Sequence, residues 1–293
     1  MAAVLEEFQF DLDGYVFGRG LPVFVDAEGF DPGSVEEVVQ DGTNPRTGAR
    51  VFGRDLPGVA TWTFACHVDR TSVEEALESA AAMGAKWRDE KWLEQEAIAT
   101  LRYRVGGRTR AIFGRPRRFS FKPGNSLLGG HLPPLATFDA VDAKHYDDVE
   151  SYIDLQLNPP IAGGFEVPIT FPLAIQRDAS IPQSGAVTIG GDTRTALAVE
   201  FTGPVTDPSV KVGTAVIGVV GTIPAGAKVT VDARPWAMSL TRTGGAARLG
   251  LSRDTRLTRA VVGPGAYSAT FTGNDLTGAA RCRVRWRNAY TTL

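Results

Sequence analysis

The sequence predicts a mainly β protein in two parts: a β-sandwich or barrel with one covering helix, followed by a second β-sandwich. Three observations predict it. Short runs of alternating apolar and polar residues recur along all 293 residues, 33 glycines and 18 prolines punctuate them, and long helical periodicity is nearly absent. The length allows one large β domain or two ordinary ones, with room for real cores in either case.

The clearest signal is Ala97 to Phe121, AIATLRYRVGGRTRAIFGRPRRFSF, two alternating runs meeting at Gly106-Gly107. Leu101, Tyr103 and Val105 alternate with Arg102 and Arg104; beyond the turn Thr109, Ala111 and Phe113 alternate with Arg108 and Arg110. A two-residue loop would set Tyr103 opposite Arg110. A three-residue loop pairs apolar with apolar, so the pattern predicts the odd loop, one face core and the other a row of arginines. Gly114 to Pro116 reads as a bulge or a sheet edge. Before this hairpin lies one helix, Ser72 to about Met83, with Thr71 or Ser72 as N-cap and Glu74 or Glu75 closing a capping box. Its expected stripe is Val73, Leu77, Ala80 and Ala81, with Gly84 as C-cap.

At the start of the chain, FQFDLDGYVFGRGLPVFVDAEGF reads as a hairpin-like opening turning near Asp13-Gly14. Residues 31 to 60 are rich in turn signals and too long for a tight connection, hence a candidate contact loop. Thr61 to Val68 fits a central strand. The acidic run Asp139, Asp142, Asp147, Asp148, Glu150 and Asp154 lacks the alternate spacing and central glycine of a calcium loop and reads as a solvated face, with a cation or a basic partner patch as the alternative. Asn158 to Pro182 looks like an extended linker pressed on a surface. From Ala186 about seven short strands follow without a helix, which specifies a sandwich. Trp286, which follows Cys282 and Val284 at alternate positions, belongs in its core. The organisation expected is therefore 1–158, a linker over 159–185, and 186–293.

Charge is unevenly spread. Residues 186 to 293 carry 13 Lys and Arg against 6 Asp and Glu, a net +7, which leaves −9 for residues 1 to 185; oppositely charged halves bear on partners rather than on fold. No apolar run is long enough to span a bilayer, and MAAVLEEFQFDLDG has no charged-then-apolar leader pattern, so the expectation is a soluble protein made in a cytoplasm. Cys66 and Cys282 each sit in an apolar strand pattern and are expected as buried thiols. His67, His131 and His145 share no metal-ligand spacing, and the chain has neither a phosphate loop nor a nucleophile elbow. The reading is that of a protein without catalytic residues, metal or cofactor. Arg281, Arg283, Arg285 and Arg287 form a ladder on one face of the last long strand, and Arg102, Arg104, Arg108 and Arg110 stud the earlier hairpin. All eight are candidate contacts to a partner or a like subunit. Trp236, beside Arg234, is the best candidate for stacking on a sugar ring, with core or interface packing the stronger reading.

The order of strands, one helix, a long arginine-studded hairpin and then ATFDAVDAKHYD at Ala136 to Asp147 resembles the N-terminal domain of siphophage distal tail proteins, which share a fold with tail-tube proteins. GGFEVPITFP, at Gly163 to Pro172, resembles the junction where those chains leave the tube-like domain. GTIPAGAKVTVDA at Gly221 to Ala233 and VVGPGAYSATF at Val261 to Phe271 resemble their galectin-like second domain, although the histidine, asparagine, arginine and tryptophan pattern of true galectins is not found. The resemblance implies a virion protein of the tail tip: a homo-hexameric ring joining the tail tube protein to the tail hub and other minor tail proteins, with DNA passing through unbound and no membrane contact. A tail-tube subunit with an added surface domain and a receptor-binding adhesin are the alternatives.

Overall fold

The computed structural model describes residues 3–35, 39–53, 55, 58–159, 181–244 and 249–293. It is mainly β and divides into two compact units, Met1–Asp148 with Thr291–Leu293, and Val149–Tyr290. The division falls ten residues before the expected one at 158, because strand Ser151–Gln156 pairs along its whole length with Arg281–Trp286 of the second unit. Most of the expected linker, residues 160–180, lies outside the described residues. Its last residues already belong to strand Gln183–Ile189.

In the first unit one antiparallel sheet runs in the order Tyr15–Gly18, Gln9–Leu12, Ala99–Val105, Arg108–Phe121, Pro134–Ala140, Thr61–Asp69, Val23–Asp31. The sheet curls into a nearly closed barrel. Aromatic packing supplies the reason. Phe10 lies 5.4 Å from Phe17, on one outermost strand, and 5.1 Å from Phe30, on the other, while Phe64 meets Phe10 edge-on at 5.1 Å. Rings from both margins of the sheet share one buried cluster, and such pairs contribute beyond the area they bury. Thr61–Asp69 is the expected inner strand, with Trp62, Phe64, Cys66 and Val68 buried.

The helix spans Val73–Trp87, one turn longer than expected, and Ser72 Oγ caps it by accepting from the Glu75 amide at 3.2 Å. Its buried stripe is Ala76, Ala80, Met83, Gly84 and Trp87, so of the expected stripe only Ala80 is buried, while Leu77 and Ala81 face solvent. Trp87 decides the rotation: its indole is buried and donates to the Thr137 carbonyl at 2.8 Å. Gly84 is therefore no cap. A Cβ there would stand 2.8 Å from the Phe119 ring, so the glycine lets helix and sheet approach.

The Gly106-Gly107 loop has two residues, not three. Val105 pairs with Arg108 and Tyr103 with Arg110, and both glycines take positive φ, 63° and 75°, as a two-residue hairpin turn requires. The expectation failed because it took every arginine to be solvent-facing; Arg110 is 3% exposed. Near Pro116 the register against Pro134–Ala140 shifts, the expected bulge in a strand that is flanked on both sides rather than at an edge.

The second unit is a sandwich. One sheet runs Ser151–Gln156, Arg281–Trp286, Ala198–Thr202, Lys228–Asp232, Ser239–Thr243; the other has Gln183–Ile189, Gly265–Asn274, Val205–Val212, Ala215–Val220 and Gly250–Leu251 in order, with Thr222–Ile223 beside the third. Val199, Phe201, Val229, Val231, Cys282 and Val284 from the first pack on Val187, Ile189, Val210, Ile217 and Phe271 from the second, and Phe201 stacks on Phe271 at 6.0 Å. Cys66 and Cys282 are buried free thiols, as expected; burial, helped by the Asp26 charge, pushes the Cys66 thiol up to about 12. Trp286 is 5% exposed within the sandwich core. Trp286→Ala should cost about 3–5 kcal/mol, measured as a shift in the denaturant midpoint of the full chain.

Candidate functional site

The arginines define the surface on which function has to be sought, and the structure sorts them into separate groups. On the hairpin, Arg102 and Arg104 lie on one face and Arg108 and Arg110 on the other, because Arg102 stands opposite Ala111 and Tyr103 opposite Arg110. There is no row of four. Arg102 sits between two carboxylates: its Nε and Nη2 reach Asp148 at 2.5 and 2.7 Å and its Nη1 reaches Asp11 at 2.8 Å. Asp11 is itself buried. Arg104 donates to Thr109 Oγ1 at 3.3 Å, with Glu7 at 3.9 Å. Arg110 is buried and donates to the Thr292 carbonyl. Arg108 is exposed at the turn.

On the last long strand the expected ladder is present for Arg281, Arg283 and Arg285, alternating with buried Cys282, Val284 and Trp286; Arg287 lies just past its end and is half-buried. Arg283 grips both oxygens of Asp154 at 2.7 and 2.8 Å and lies 4.6 Å from the Tyr152 ring centre. Arg285 has Glu150 at 3.7 Å. Trp236 is half-buried with the Arg234 guanidinium 5.7 Å from its ring centre, and Arg234 is held by Asp232 and Glu150.

The acidic run is thus not a bare acidic face: Asp154 stays exposed, but most of its carboxylates have partners. Asp148 serves Arg102, Glu150 serves Arg234, and Asp154 serves Arg283, while Asp139 takes Thr61 Oγ1 at 2.7 Å and Arg117 Nε at 2.9 Å. Asp142 accepts from Tyr146 Oη at 2.6 Å. The histidines have local partners: His67 with Asp26 at 2.7 Å, His131 with Asp69 at 2.9 Å, and His145 with Tyr103 Oη at 2.7 Å. Among the described residues no group of three His, Cys, Asp or Glu side chains could hold a metal ion, and no helix is long and apolar enough to cross a membrane.

Two further surfaces of the first unit are largely apolar. Val35, Val39, Val51, Phe52 and Val59, all in the 31–60 loop, are exposed, Phe52 by 79%. A mostly apolar hollow of about 620 Å³ is lined by Phe8, Leu21, Phe24, Val25 and Phe30 together with Arg19 and Asp26. The loop was legible from its length; the hollow was not, because it arises only when Val23–Asp31 curls toward the start of the chain.

This architecture matches solved phage structures over nearly its whole length. A chain of the phage P2 baseplate in its calcium-activated conformation superposes with a TM-score of 0.56 at 12% identity, over 97% of this chain and 99% of that one. The SPP1 Dit protein, described as a paradigm of the hub adsorption apparatus in phages infecting Gram-positive hosts, gives 0.53 at 12% identity over 97% and 99%. The fold is that of phage baseplate and hub-adsorption proteins. A chain of the strontium-activated p2 baseplate gives 0.53 at 13% identity over 94% and 97%. No protein-family model and no curated protein matches the sequence. The resemblance to distal tail proteins read from the order of the strands is met at the level of fold.

Two outcomes follow from the placements. Arg108→Ala should change stability by no more than about 0.5 kcal/mol, whereas Arg110→Ala, which removes a buried guanidinium together with its charge-assisted hydrogen bond, should cost roughly 1–3 kcal/mol; denaturant midpoints of the two variants separate these cases. Burial also pushes the Asp142 carboxyl above the ordinary range, against the hydrogen bond from Tyr146. A carboxyl whose pKa is higher in the folded chain holds its proton more tightly there. Stability is then lost as pH rises from the unfolded value of about 4 through the raised folded value. Relative to Asp142→Asn, the unaltered chain should therefore lose urea resistance as pH is raised through that window, and a pH-independent difference would contradict the assignment.

Proposed function

We propose that this chain is a structural protein of a phage tail tip: a subunit of a homo-hexameric ring that joins the tail tube to the hub and leaves a channel for DNA. The observation that carries the reading is the end-to-end likeness of fold to the SPP1 Dit protein and to the phage P2 baseplate chain. Two properties of the molecule support it. The exposed apolar side chains of the 31–60 loop and the apolar hollow beside Phe24 and Phe30 lie on the same unit, and surfaces of that kind mark sites of association. A heterologous contact repeated around a closed ring would cover both.

The proposal includes the charges. Residues 1 to 148 carry 17 Lys and Arg against 23 Asp and Glu, a net −6, and Arg102 and Arg110 are turned inward to partners of their own chain. An acidic first unit keeps DNA from adhering to the passage by like-charge repulsion, and the basic second unit, placed outside the ring, meets acidic tail proteins. The galectin-like character of that unit and its role as a docking point belong to the same proposal.

Electron microscopy of the purified full chain tests it. Closed rings of six-fold symmetry are expected, without extension into tubes. Long stacked tubes would favour a tail-tube subunit, and a monomer at every concentration would overturn the proposal.

A further inference from the structure

Val149–Tyr290 carries 14 Lys and Arg against 10 Asp and Glu, a net +4. Much of that excess is gathered in one loop. Arg253, Arg256 and Arg259 are exposed, and their side chains make no hydrogen bond or ion pair among the described residues. The residues between and beside them anchor the backbone. Thr255 is buried with its Oγ1 accepting from the Gly218 amide at 2.7 Å, Leu257 packs on the sandwich core, and Ala260 is buried. The Arg259 amide donates to the Arg256 carbonyl at 2.8 Å, a turn that holds the two Cα atoms within about 7 Å of each other. Only Asp254 offers a carboxylate within the run.

The first unit carries the converse on its helix, Val73–Trp87. Glu74 and Glu78 are exposed one turn apart on one face, and neither side chain is paired among the described residues. Such neighbours stand about 5–6 Å apart at Cβ, and like charges so placed weaken a helix. The next turn brings no relief, because Ala81 and Ala82 are uncharged. Two anchored surfaces of opposite sign thus each hold a pair of like charges at similar spacing.

We propose that the Arg256–Arg259 turn of one copy docks on the Glu74 and Glu78 face of the helix in the next copy. The inference rests on the ring reading above and names the acidic partner that the basic unit meets. Each guanidinium can take one carboxylate through two N–H donors, and the contact relieves the repulsion on both sides at once. Unlike patches on one chain make a heterologous contact, the kind that repeats around a closed ring. A polyanion such as DNA would also satisfy the arginines, but it leaves the two glutamates uncompensated. Exposed ion pairs set register and association rate more than affinity and are screened by salt, so assembly through this contact weakens as salt is raised.

Mass photometry of the full chain across a concentration series, at low and at high salt, tests the proposal. At low salt Arg256→Glu with Arg259→Glu should raise the concentration for half-assembly at least about tenfold, as should Glu74→Lys with Glu78→Lys, and the chain carrying all four changes should return to within about threefold of the unaltered one. Lys211→Glu, at an exposed cation elsewhere on the second unit, should leave assembly unchanged. Rings that form undiminished in both double variants would overturn the contact and leave the ring reading standing, whereas a chain that never assembles overturns both. A fourfold variant that does not recover, or loss of binding to duplex DNA with rings intact in the arginine variant, would also overturn the contact. All four altered side chains are exposed, and thermal melts matching the unaltered chain show that the fold is kept.

Discussion

A guanidinium carried on an interior strand of a sheet has to bring carboxylates with it, and the Arg102 cluster shows how this chain meets that demand. Arg102 is 13% exposed and Asp11 4%; an unpaired charge at such a position would cost several kcal/mol. Asp11 stands directly opposite Arg102 across the pair of strands Gln9–Leu12 and Ala99–Val105. A slip of one residue would put them on opposite faces of the sheet. The ion pair therefore fixes the register of the first hairpin on the second, and that register places Phe10 and Leu12 beside Tyr103 and Leu101 in the core.

The same device recurs in the second unit, where Arg234 rests between Asp232 and Glu150 and Arg283 is matched by Asp154. The carboxylates come largely from one stretch, residues 139 to 154. The cost of each pair differs with exposure. The Arg283 pair lies on an open face and is screened by water, whereas the Arg102 pair is enclosed and acts on the fold.

Much of this was legible in the sequence. Alternation located the Ala97 to Phe121 hairpin, the strand through Trp62, Phe64 and Cys66, and the ladder from Arg281, because period two needs only local residues. The order of these elements was enough to reach the fold. What local pattern could not supply was the company each charge keeps. Arg110 reads as a surface residue, yet its partner carbonyl, Thr292, lies 182 residues away. The acidic run reads as solvated because its arginines are up to 129 residues distant. The helix stripe was misplaced for a related reason: Trp87 sits beyond the glycine taken as a stop, and only packing on Phe119 explains Gly84 inside the helix.

The account rests on arginines that belong to the scaffold before they belong to any interface. A double-mutant cycle with Arg102→Met and Asp148→Asn, followed by urea unfolding of the full chain, measures that directly. A coupling energy above about 1.5 kcal/mol is the result expected of an enclosed, two-point ion pair, and a coupling below about 0.5 kcal/mol, the level of independent sites, would contradict it.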